Sequence, residues 1–194
     1  MLGWFALIAQ LCINLDNPAE GTGEILIRYF SFFTITTNIL IAICSTSLLL
    51  KPGNHFFSGQ KILTALTVYI LIVSIIYNVI LRSLWHPTGL QRIVDEILHV
   101  VVPVMFLFYW ILYVIKKKLK WTVILPWLVY PLVYLIVILL RGTASGYYPY
   151  PFMNADELGF QKVLINAAVI TAGFIFVSLV LVAIGNRNRG FMHD

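Results

Sequence analysis

Within an otherwise apolar stretch, Phe32-Phe33-Thr34-Ile35-Thr36-Thr37-Asn38 carries four hydrogen-bonding side chains. At helical spacing Thr34, Thr37 and Asn38 stand at i, i+3 and i+4 and share one face, whereas Thr36 points elsewhere. Further along, Asp95-Glu96-Ile97-Leu98-His99 sets a carboxylate one helical turn from an imidazole on the same face, where it could orient the ring. A threonine hydroxyl becomes a useful nucleophile when an adjacent base takes its proton, and histidine is the commonest such base. The chemistry open to this set is acyl transfer: Thr34 or Thr37 attacks a carbonyl, His99 moves the proton, Asp95 holds the imidazole, and Asn38 or Asn78 donates to the oxyanion. Arg82 and Arg141 can either pair with acidic residues or hold a lipid carboxylate. Together with Tyr150, in the aromatic loop Gly146 to Phe152, they complete the substrate-binding candidates.

The elements that must position these residues are membrane-spanning helices. Of 194 residues, 60% are hydrophobic and 11% charged, with mean hydropathy +0.91, more apolar surface than a water-soluble domain can hide. A bilayer core about 30 Å thick takes roughly 20 apolar residues per helix. Five runs meet that length, at 28–50, 61–84, 97–115, 121–141 and 161–185, and a shorter one covers 1–15. The short run lacks the basic segment and cleavage site of a signal peptide and reads as a helix. The expectation is an all-α, polytopic six-helix bundle forming one integral membrane domain over residues 1–194. Lys51, Lys61, Lys116, Lys117, Lys118, Lys120, Arg187 and Arg189 fall on one side of that count, and Asp16, Glu20 and Glu24 on the other. The positive-inside rule then makes both termini cytoplasmic. The net charge of +5 is therefore a topology signal, and a nucleic-acid partner is not expected. From Arg28 inward, Thr34 lies about 9 Å and Thr37 about 13 Å down the helix, which places the polar set in the outer half of the membrane.

Plainer readings compete. Threonines in membrane helices often bond their own i−4 carbonyl or glue helices together, and an intramembrane histidine can serve structure alone. A zinc site built from Asp95, Glu96 and His99 would need further ligands, but His55 and His193 fall on the cytoplasmic side and only His86 remains outside. No metal or other cofactor is expected. Cys12 and Cys44 fall toward opposite membrane faces, so no disulfide is expected. A non-enzymatic lipid-binding or transport protein could use the same pocket, although no inverted repeat is visible. A scaffold whose polar groups only join helices is the third possibility.

The order FFTITTN, YNVILR (77–82), DEILHVVVP (95–103), WLVYPLVYLIVILLRG (127–142) and GYYPYPF (146–152) resembles bacterial six-helix relatives of the androgen-induced-gene and androgen-dependent TFPI-regulating membrane proteins. The resemblance covers most of the chain. It implies an intramembrane threonine hydrolase that cleaves fatty acid esters of hydroxy fatty acids with one threonine and one histidine, in a bacterial plasma membrane. The family histidine corresponds to His99 in HVVVP, and the family threonine to Thr34 after Phe32-Phe33, or to Thr37 one turn on. Here the histidine-to-proline spacing is one residue shorter than in the eukaryotic pattern, and valines replace its hydroxyl residues.

Overall fold

A computed structural model describes residues 1–16, 21–51, 56–114 and 118–187. Glu20, His55, Lys116, Lys117, Arg189 and His193, which entered the topology and zinc arguments, lie outside the described residues, as does position 115 at the end of an expected run. The described residues form only helices and turns. In chain order these are α1 (Leu2–Leu15), α2 (Thr22–Phe30), α3 (Phe33–Leu50), α4 (Gln60–Leu81), α5 (Gly89–Tyr113), α6 (Trp121–Ser145), the short α7 (Ala155–Leu158) and α8 (Phe160–Arg187). Five of them, α3, α4, α5, α6 and α8, are long and apolar enough to cross a membrane. The chain is thus an all-helical protein whose apolar helices suit a membrane.

Helix α4 is the hub. Every residue from Leu63 to Ile70 is buried, the pattern of a helix enclosed on all sides rather than one with a single apolar stripe, and α4 packs against α3, α5 and α8. The outer helices differ: Leu132, Val133, Ile136 and Val137 on α6 and Leu164, Val169 and Phe176 on α8 are exposed, a surface that lipid tails solvate at no cost. Polar groups in the core are spent on backbone. Thr67 bonds the Leu63 carbonyl at 2.7 Å. Thr64 bonds that of Gln60 while accepting from Trp110 Nε1 at 2.9 Å, the expected behaviour of buried threonine in lipid.

The expected 28–50 run is two helices. Helix α2 ends at Phe30, Phe32 is extended, and α3 begins at Phe33. The break is held from α6: Tyr134 donates to the Ser31 carbonyl at 2.7 Å, and Arg141 bonds the Ser31 hydroxyl and the Ile27 carbonyl. Backbone groups freed by a break must find partners where water is absent, and these two side chains supply them. The expected 97–115 run begins earlier, at Gly89, so His99 lies well inside α5 rather than in its first turn. A third departure is a pair of π-helical turns, Tyr77–Leu81 in α4 and Ile97–Val101 in α5. Proline shapes the neighbourhood as well. Pro131 has no N–H for the Trp127 carbonyl, and Tyr69 donates to that oxygen instead at 2.7 Å.

After α6 the chain turns at Gly146, whose φ of +69° suits glycine, and folds back over Gly142. A Cβ on Gly142 would enter the Tyr148 ring. We expect Gly142→Ala to displace that ring and cost about 1–3 kcal/mol, seen as a lowered Tm in detergent. Gly23→Ala, which meets nothing within 4 Å, should leave Tm unchanged; equal melting of the two variants would rule out the packed ring.

Candidate active site

The break at Ser31–Phe32 makes Thr34 the second residue of α3. The first-turn N–H groups of a helix have no intrahelical partner; that of Thr34 reaches the Tyr150 hydroxyl at 3.4 Å. The Thr34 side chain turns toward α5, where its Oγ1 lies 3.3 Å from His99 Nε2. The other ring nitrogen, Nδ1, sits 2.9 Å from the Asp95 carbonyl oxygen and 3.2 Å from Asp95 Oδ1. Two acceptors at Nδ1 select the tautomer that carries its proton there and leave Nε2 free to accept from Thr34. The second carboxylate oxygen of Asp95 accepts from the Tyr77 hydroxyl, and the Tyr77 ring stacks on His99 with centroids 3.8 Å apart. Thr34, Asp95 and His99 are all under 10% exposed.

Asn38 lies one turn below Thr34. Its amide nitrogen donates to the Thr34 carbonyl at 2.9 Å and to the Leu98 carbonyl at 3.3 Å, joining α3 to the π turn of α5. Both N–H groups are thereby engaged with backbone, and its Oδ1 is a buried acceptor without a partner among the described residues. Thr37 is fully buried and meets the Tyr130 hydroxyl at 3.2 Å, and Thr36, expected on another face, meets the same hydroxyl at 2.9 Å. The structure therefore brings Thr34, and not Thr37, to His99.

A cavity of about 240 Å³ opens beside Thr34, walled by Ile72, Ile76, Leu132, Ile170 and Phe174, with Tyr134 and Tyr150 at the same end as apolar side chains of the Pro151 turn. Thr34 is the residue that touches both this cavity and the imidazole. Burial raises the Tyr150 phenol above its ordinary range, so it remains a neutral hydroxyl able to donate.

No family model, no curated protein and no solved structure matches this chain.

The remaining candidates lie elsewhere. Asn78 is exposed and bonds the Ser74 carbonyl of its own helix at 2.8 Å. Arg82 is exposed and pairs with Glu96 at 2.7 Å. Arg141 pairs with Glu24 at 3.1 Å and borders a separate groove of about 510 Å³ that includes Ile27, Thr36 and Tyr130. Among the described residues no three His, Cys, Asp or Glu side chains gather as a metal site would need. Sequence reasoning missed Tyr77, Tyr130 and Tyr134. A signal existed for two of them, since Tyr130 and Tyr134 stand four apart in a run that is otherwise aliphatic.

Glu24 is the half-buried acid of this region, and the Arg28 guanidinium, with help from Arg141, holds its carboxyl below the usual range. A lowered value means that the stabilisation is present once the carboxylate is ionised and disappears as pH falls through the folded-state pKa. Wild-type protein should therefore lose slightly more thermal stability than Glu24→Gln between about pH 6 and pH 3, the difference shrinking in 1 M salt. Parallel melting profiles would show that the carboxylate contributes nothing.

Proposed function

We propose that this protein is an intramembrane hydrolase of lipid esters, with Thr34 as nucleophile and His99 as general base. The observation that carries the reading is the 3.3 Å contact between Thr34 Oγ1 and His99 Nε2, made by an imidazole whose far nitrogen faces Asp95, at the edge of an apolar cavity. This is the nucleophile, base and orienting acid of hydroxyl-dependent acyl transfer. In the first half-reaction Nε2 takes the Thr34 proton as Oγ1 bonds the ester carbonyl carbon. The tetrahedral oxyanion collapses, the alcohol leaves with the proton from His99, and an acyl-threonine remains. Water, giving its proton to Nε2, then attacks that ester, releasing the fatty acid and restoring Thr34. Tyr150, beside the Thr34 N–H, is the better-placed oxyanion donor than Asn38, whose N–H groups are engaged, or Asn78, which faces away.

The cavity walls suit an acyl chain, and the resemblance to the androgen-induced-gene relatives makes fatty acid esters of hydroxy fatty acids the first substrates to try. In this reading α1 is a sixth, short span. Trp4 bonds Thr46 near the end of α3 at 2.9 Å, and Gln10 bonds Gln91 near the start of α5 at 2.7 Å, so α1 runs antiparallel to α3 through the bundle. Lys118, Lys120 and Arg187 belong to one end, since Asn186 bonds both backbone groups of Leu119. Basic residues there favour cytoplasmic termini and a site in the outer half, and the resemblance to bacterial six-helix relatives points to a bacterial plasma membrane.

The test is covalent labelling of the purified protein with a fluorophosphonate or a lipid-like β-lactone, with the adduct mapped by mass spectrometry. Adduct on Thr34 is expected. Well-folded protein that neither probe labels, but that retains lipid through purification, would support a lipid-binding role for the cavity instead.

A further inference from the structure

Tyr77 takes no direct part in the proton path from Thr34 to His99, yet it is the most closely engaged neighbour of the imidazole. Its hydroxyl donates to Asp95, and its ring lies 3.8 Å from that of His99 with only 15° between the planes. Both residues sit at π-helical turns, Tyr77 opening one and His99 central to the other. A π turn inserts an extra residue and rotates the helix beyond it, and such turns recur at functional sites. Here two such turns lie on neighbouring helices at the place where the rings stack. The pair is fastened at its rim by Arg82, which pairs with Glu96 and lies 5.4 Å from the Tyr77 ring.

We infer that Tyr77 is a positioning residue for His99, fixing the Asp95 carboxylate by its hydroxyl and the plane of the imidazole by its ring; this rests on the hydrolase reading for its catalytic consequence. Asp95 offers two oxygens and His99 Nδ1 can use one. Tyr77 occupies the other, so the carboxylate cannot rotate away from the ring. Stacking then blocks the rotation of the imidazole that would withdraw Nε2 from Thr34. A buried carboxylate that lost this donor would also be left short of partners.

Two measurements on wild type, Tyr77→Phe, Tyr77→Leu and His99→Ala test this. The first is the fluorophosphonate labelling rate against probe concentration. In Tyr77→Phe the maximal rate should fall about tenfold with the half-saturating concentration within twofold of wild type; Tyr77→Leu, which also loses the ring, should fall further. The second is the 15N spectrum of histidine-labelled protein, in which the His99 signals are those missing from His99→Ala. Wild type should show one tautomer, protonated at Nδ1, and Tyr77→Phe the same tautomer with its Nδ1 signal displaced, because the carboxylate that faces Nδ1 is no longer held. A purely structural tyrosine would lower Tm and move neither readout at temperatures well below unfolding. The inference is overturned if Tyr77→Phe keeps the wild-type spectrum, or changes it without slowing labelling of Thr34. Unlabelled wild type with an altered Tyr77→Phe spectrum would overturn the hydrolase reading while upholding the positioning of the ring.

Discussion

If the proposed hydrolase reading holds, replacing Thr34 or His99 with alanine should abolish labelling and ester hydrolysis, a loss on the order of 10⁴-fold or more, whereas Thr37→Ala should stay within a few-fold of wild type. The asymmetry arises from partners. Thr34 Oγ1 meets His99 Nε2 at 3.3 Å, while Thr37 Oγ1 meets only the Tyr130 hydroxyl, at 3.2 Å, and phenol is a poor base near neutral pH. Neither threonine replacement should unfold the protein, since each removes a single side-chain hydrogen bond worth about 1 kcal/mol. Thr34→Ser, which keeps the hydroxyl, should retain measurable labelling. Full labelling of Thr34→Ala, or its loss only in Thr37→Ala, would place the nucleophile one turn deeper.

The second large effect is expected from Asp95→Asn. In a hydroxyl–imidazole–carboxylate arrangement, changing the acid to its amide costs about 10⁴ in rate by favouring the wrong tautomer. Here the loss should be smaller, about 10²-fold, because the Asp95 main-chain oxygen, 2.9 Å from Nδ1, survives the substitution and still selects the Nδ1–H form. Single-turnover acylation measured on Asp95→Asn and on His99→Ala separates the two roles. Equal losses would mean that the carboxylate is as necessary as the base; no loss at all would reduce Asp95 to a partner for Tyr77.

The same residues show how much could be read from the chain. Long apolar runs dictate helices, and each of the five long ones overlaps a helix long and apolar enough to cross a membrane. Thr34 and His99 could be matched by helix face and depth, and they do meet. Features that depend on distant partners escaped. The interruption at Ser31–Phe32 is held by Tyr134 and Arg141, more than a hundred positions away. The polarity of Asn78 makes it the more conspicuous oxyanion candidate, but it bonds its own helix, and its neighbour Tyr77, in register with the buried Leu66, Ile70 and Val73, is the one that faces His99. Arg82 and Arg141 stand out as charges near the membrane, yet each pairs with a glutamate, Arg82 with Glu96 and Arg141 with Glu24, which it shares with Arg28. No local pattern distinguishes a cation waiting for a ligand from one already paired.

The interruption before α3 also ties distant positions together over evolutionary time. Thr34 begins a helix only while Ser31, Tyr134 and Arg141 hold the preceding backbone, and Arg141 in turn leans on Glu24. Descendants of this chain should therefore inherit Ser31, Tyr134 and Arg141 as a set, while Glu24, which also pairs with Arg28, is free of that constraint; drift in an α6 side chain that never touches the imidazole can silence the hydroxyl that does.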